Sequence, residues 1–110
     1  MSAQLTLDAL GGINWDSLRL EQIEQFLADA LPGKDIKQER HSSRQCVSVE
    51  CKDGWKLYAC PSLDRISDNA LRWHVYVECV PPDGSDYWTY ARRFHAGQED
   101  DLRALVKAQA

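Results

Sequence analysis

The side chains able to do chemistry are three histidines, four cysteines and a late group of tyrosines, arginines and carboxylates. His74 and Glu78 lie in a strand-like run, residues 71–80, at a spacing that puts both on one face of a strand. A neutral imidazole near a carboxylate can serve as a general base. No nucleophile stands in a recognisable motif beside them, and no glycine-rich loop could cradle a phosphate. A solvated sheet face is therefore expected for His74, and no residue is assigned a catalytic role.

Cys46, Cys51, Cys60 and Cys79 match a zinc site in number but lack any Cys-x-x-Cys knuckle. Strand parity sends Cys51 and Cys79 to one face and Cys46 and Cys60 to the other. Ligands on opposite faces cannot meet one metal, so neither a metal nor a cofactor is expected. The cysteines read instead as small buried hydrophobes, reduced in a cytoplasmic protein.

The third group is the most suggestive. Lys56, Tyr58, His74, Tyr76, Glu78, Tyr87 and Arg93 fall, with Thr89, on one face of two successive hairpins. Tyrosine with arginine is the composition of protein-binding hot spots. Tyrosines also pair across ordinary half-solvated strands, but a contiguous patch asks for more than that. The same aromatics could stack bases while Lys56, Arg72, Arg92 and Arg93 followed phosphates. A net charge of -4 and the lack of an RNP-like motif weigh against that use.

The elements that must position these residues are legible from periodicity. Residues 71–95 form an aromatic hairpin around the turn cluster Pro81-Pro82-Asp83-Gly84-Ser85-Asp86. Pairing Val80 with Tyr87 sets Cys79 opposite Trp88, Val77 opposite Tyr90, Val75 opposite Arg92, Trp73 opposite Phe94 and His74 opposite Arg93. This register gathers Trp73, Val75, Val77, Cys79, Trp88, Tyr90 and Phe94 on a single face, and a slip of one residue would mix the faces. Arg92 is the misfit on the apolar side and so the check on the division.

Residues 45–60 form an earlier hairpin. A two-residue Asp53-Gly54 loop would split the apolar residues between faces. A three-residue loop, Lys52-Asp53-Gly54, pairs Cys51 with Trp55 and unites Val47, Val49, Cys51, Trp55, Leu57 and Ala59. The second register is preferred, and it requires Gly54 in the left-handed conformation. Residues 16–31 carry Leu20, Ile23, Phe26, Leu27, Ala30 and Leu31 at helical spacing, with Asp16 or Ser17 as cap and Pro32-Gly33 as stop. Residues 97–110 form a second helix, with Glu99, Asp100 and Asp101 in its first turn and an apolar stripe of Leu102, Leu105 and Val106.

Residues 34–44 read as a loop or short edge strand with a turn at His41-Ser42-Ser43. Residues 61–69 read as a connection with Leu63 and Ile66 tucked beneath it. Residues 1–13 are a loose terminus or an edge strand.

The expected fold is a single α+β domain over the 110 residues. It is a two-layer sandwich: a four-stranded antiparallel sheet, a meander of two hairpins, with an N-terminal and a C-terminal helix on one face. No stretch approaches the ~20 apolar residues of a membrane span. The first residues lack the pattern of a signal peptide, so a cytoplasmic location is expected and no membrane partner.

The functional expectation is a small non-catalytic protein-binding module. It would be an inhibitor, immunity or phage-type antagonist protein acting through its exposed sheet face, or self-associating through it. Single-stranded nucleic-acid binding by the same face is the alternative. A secretion-chaperone-like dimer or a small enzyme using His74 and Glu78 comes third.

Overall fold

The computed structural model describes residues 13–67, 70–84 and 90–110. The order is α1 (Leu20–Ala30), β1 (Lys37–His41), β2 (Arg44–Glu50), β3 (Lys56–Ser67), β4 (Ala70–Val80), β5 (Ala91–Phe94) and α2 (Glu99–Gln109). The fold is α+β, and its antiparallel sheet is a meander in the order β1-β2-β3-β4-β5. The sheet therefore has five strands, not the expected four. The additional strand is β1, polar along its whole length, which pairs with β2 from Lys37↔Ser48 to His41↔Arg44. A charged sequence is a common guise for an edge strand, because it discourages pairing with other chains. Ser42 and Ser43 both take positive φ, 52° and 67°. That is the two-residue hairpin turn whose twist matches the flanking strands.

The three-residue loop between β2 and β3 forms as expected. Lys52–Gly54 is a short 3-10 turn, Cys51 N donates to Trp55 O at 2.8 Å, and Glu50 pairs with Lys56. Gly54 sits at φ +81°. Residues 61–69 differ from expectation. Residues 61–67 are strand rather than connection, because β3 continues to Ser67 and pairs with β4 beyond Pro61↔Val75; residues 68 and 69 and the Ile66 side chain lie outside the described residues. Pro61 is tolerated because the β2 pairing ends at Val47↔Ala59, which leaves that side of β3 an edge. Leu63 does not tuck under; it is exposed and pairs with Trp73.

The aromatic hairpin keeps its faces but not its register. Val75 pairs with Phe94, Tyr76 with Arg93, Val77 with Arg92 and Glu78 with Ala91. Each pair is displaced by two residues, so His74 does not face Arg93. A two-residue slip leaves every side chain on its own face, and parity could not tell the two registers apart. Arg92 stays on the apolar-face parity opposite Val77. The expected pairings of Tyr87 and Trp88, the position of Thr89 and the fold of residues 1–12 lie outside the described residues.

The apolar face supplies the core. Val47, Val49, Leu57, Ala59, Val75, Val77, Cys79 and Phe94 form one cluster with Ile23, Phe26, Leu27 and Ala30 of α1 and Leu102 and Val106 of α2. Neither Asp16 nor Ser17 caps α1, which begins after Arg19 and has no side-chain cap. The chain instead makes a turn on Asn14 and brings Leu18 into the core before the helix starts. Burying Leu18 outweighs an earlier cap, since a buried leucine contributes ~2 kcal/mol and a cap about half that. The helices are tied by Arg103, whose guanidinium lies 5.0 Å over the Phe26 ring. Trp15 Nε1 donates to Glu99 Oε2 at 2.6 Å.

Candidate functional site: the polar sheet face

The opposite face is neither flat nor fully solvated. Neighbouring strands stand about 4.8 Å apart, so β1 and β4 of a flat sheet would be ~14 Å apart. Yet His41 Nε2 of β1 lies 2.9 Å from Glu78 Oε1 of β4. The sheet is therefore curled toward this face. The curl buries Cys46, Ser48, Cys60, His74 and Glu78 there.

One cluster lines a cavity of about 210 Å³ formed by His41, Ser42, Arg44, Cys46, Tyr58, Cys60, Tyr76 and Glu78. Both oxygens of Glu78 are engaged, one by His41 and the other by the Tyr76 hydroxyl at 2.9 Å. A carboxylate in its ionised form only accepts, so toward it the His41 ring would donate through Nε2. The His41 ring stacks flat on Tyr58, with centroids 3.8 Å apart at 6°. Burial, then the bond to Glu78, pushes the Tyr76 phenol up from its ordinary range. Two guanidiniums approach the Tyr76 ring, Arg44 at 5.1 Å and Arg93 at 5.6 Å. Lys56 lies 5.3 Å from the Tyr58 ring and pairs with Glu39 at 2.8 Å. Glu39, which also accepts from Ser48 Oγ, is held below the usual carboxylate range by Lys56 first and Ser48 second.

Continuing the β2–β3 register one step past Val47↔Ala59 sets Cys46 opposite Cys60. Both thiols are free. The Cys46 thiol supports the charge on Cys60, and Arg44 Nη1 lies 3.5 Å from the Cys60 sulfur. Together they hold the Cys60 thiol below its ordinary value against the opposing effect of burial, while Cys46 is pushed up.

A second cluster joins β3, β4 and the end of β5. Asp64 Oδ2 lies 3.1 Å from His74 Nδ1, 3.6 Å from His95 Nε2 and 3.9 Å from Arg93 Nε. The two imidazole centroids are 5.3 Å apart. Burial is the main cause lowering the His74 pKa; Asp64 opposes it, while His95, Arg93 and Arg44 add to it. Asp64, His74 and His95 are the described residues whose arrangement could hold a metal ion.

Of the seven residues expected to bind a partner, Lys56, Tyr58, Tyr76 and Arg93 are at least partly accessible. His74 and Glu78 are buried, which corrects their placement on a solvated face. Tyr87 lies outside the described residues. Nor do His74 and Glu78 form a pair: each is committed to a different cluster. Sequence reasoning did not assign His41, Arg44, Asp64 and His95 to the site. Parity alone could have found Asp64, since it shares the face of Tyr58 and Cys60. No local signal could have found His41, whose place depends on the curl. The chain matches no protein-family model, no curated protein and no solved structure.

Proposed function

We propose that the protein is a non-catalytic binding module, cytoplasmic, whose polar sheet face receives a protein partner while the two helices back the other face as a second layer. An inhibitor, immunity or antagonist protein would use such a face. The observation that carries the reading is Tyr76, flanked by Arg44 and Arg93 at the rim of the cavity. Tyrosine and arginine packed together in a fixed arrangement are the side chains that dominate binding energy at protein interfaces. The partner is expected to present an acidic side chain to Arg93, whose side chain is 60% exposed beside the Tyr76 ring.

The test is affinity capture from the native host, identification of the captured protein by mass spectrometry, and calorimetry with the purified pair. The double variant Tyr76→Ala, Arg93→Ala is expected to weaken binding by about 2 kcal/mol or more. Unchanged affinity with an unchanged circular-dichroism spectrum would sink the reading. The aromatic and cationic residues also support single-stranded nucleic-acid binding, but Glu39, Asp64 and Glu78 share the face and repel phosphate. Binding of a single strand that falls steeply with added salt would favour that reading instead.

A further inference from the structure

The fold brings two imidazoles and a carboxylate to one point: Asp64 on β3, His74 on β4 and His95 immediately after β5. Ser62↔His74 and Asp64↔Arg72 pair between β3 and β4, so Asp64 is the diagonal neighbour of His74 on the polar face. Continuing the β4–β5 register from Tyr76↔Arg93 sets His95 opposite His74. Asp64 and His74 lie on strands, which hold a site more exactingly than loops do.

We propose that Asp64, His74 and His95 form a site for one divalent transition-metal ion, with zinc the expected occupant. Their donor atoms all lie within 4.8 Å of one another. Zinc bonds of about 2.0–2.2 Å in a tetrahedron set ligand atoms roughly 3.4 Å apart. The separations of 3.1 Å between Asp64 and His74 and 3.6 Å between Asp64 and His95 bracket that value.

An independent observation points the same way. His74 is 1% exposed, and neither of its ring nitrogens has a hydrogen-bond partner among the described residues. Asp64 lies close to Nδ1 but off the direction that a hydrogen bond requires. A buried imidazole without partners is costly, and a metal ion would satisfy it. Asp64 and His95 are partly open to solvent, at 35% and 29%. Water can therefore complete the coordination, as in sites with three protein ligands. Two histidines and one carboxylate also suit ferrous iron, so zinc and iron are compared directly in the test. Arg93 is the cation nearest the site; its side chain is 60% exposed and packs over the Tyr76 ring. A bound ion would pin β5, only 4 residues long, to β3 and β4.

The experiment uses the untagged full chain, stripped with a chelator and titrated with zinc, ferrous iron and cobalt. Binding is read by competition with a chromophoric chelator and by cobalt visible absorption. One equivalent of metal is expected, with zinc the tighter binder and a cobalt spectrum free of thiolate charge transfer. Asp64→Asn and His95→Gln are each expected to weaken zinc binding at least ~100-fold, with circular dichroism unchanged. Both residues are partly exposed, so these variants keep the test clear of the folding defect that replacing His74 would risk. The double variant Cys46→Ser, Cys60→Ser is expected to bind zinc as the parent does, and Arg93→Ala no more weakly. Absence of stoichiometric binding, survival of full affinity in both ligand variants, or loss of binding in the cysteine variant would each overturn the proposal. Tighter binding of iron than of zinc would overturn the choice of ion.

Discussion

At the scale of single residues, the polar face is a set of buried groups whose partners come from distant strands. Glu78 is tolerated at 5% exposure because His41 and Tyr76 each satisfy one of its oxygens. Its bond to Tyr76 follows from strand alternation, two residues along one face. Its contact with His41 follows only from the curl of the sheet. Cys60 offers the clearest measurement. Cys46 and Arg44 hold its thiol below the ordinary value, so its thiolate persists to lower pH than a free cysteine's. Alkylation with a small neutral reagent, followed by peptide mass mapping, is expected to label Cys60 before Cys46. The rate at Cys60 rises with pH as thiolate forms, and its midpoint should lie below that of an ordinary cysteine. Arg44→Gln removes the guanidinium, and the midpoint should move upward. An unmoved midpoint would show that the guanidinium does not support the thiolate.

At the scale of elements, the hairpins divide by what specified them. Between β2 and β3 the turn residues Asp53-Gly54 limit the loop to two or three residues, and of these only the three-residue loop with Lys52 unites the apolar residues on one face. Gly54 is at φ +81°, and a Cβ there would lie 3.2 Å from Pro82 Cβ and 3.3 Å from Pro82 Cγ. Gly54→Val therefore meets backbone strain and crowding together, despite valine's preference for strands. We expect a loss of about 1–3 kcal/mol, read as a lower urea midpoint at unchanged slope. No change in midpoint would mean that the loop relaxes freely. Between β4 and β5 the sequence specifies a turn cluster but no loop length. Two arrangements two residues apart satisfy the same parity, and the shift decides that Tyr76 rather than His74 faces Arg93.

At the scale of the whole molecule, the chain segments before α1 and at the start of α2 are joined. Trp15 Nε1 donates to Glu99 Oε2 at 2.6 Å, a charge-assisted bond across 84 positions of sequence. Trp15→Phe keeps most of the ring but removes the donor. The expected loss is about 1–3 kcal/mol in urea unfolding, because Glu99 must then find water instead. Glu99→Gln should cost less, since it retains an acceptor for the indole. Equal stability of all three chains would show that the tie contributes nothing. No helix among the described residues is long and apolar enough to cross a membrane.

The sequence by itself determined which side chains share a face. Strand alternation and helical spacing are local properties, and they separated the core residues Val47, Val49, Leu57, Val75, Val77 and Phe94 from Lys56, Tyr58, Tyr76 and Arg93. It also determined α1 and α2 to within a turn, and the loop at Gly54. The tertiary structure decided what alternation cannot express: the polar strand β1, the two-residue slip of β5 and the curl toward the polar face. β1 has no apolar alternation to mark it, and the slip and the curl rest on contacts between different hairpins or across a long connection. The curl matters most for function. It turned an expected solvated surface into a cavity around Tyr76, and it brought His41 to Glu78 across the width of the sheet. The slip brought His95 opposite His74 and so beside Asp64.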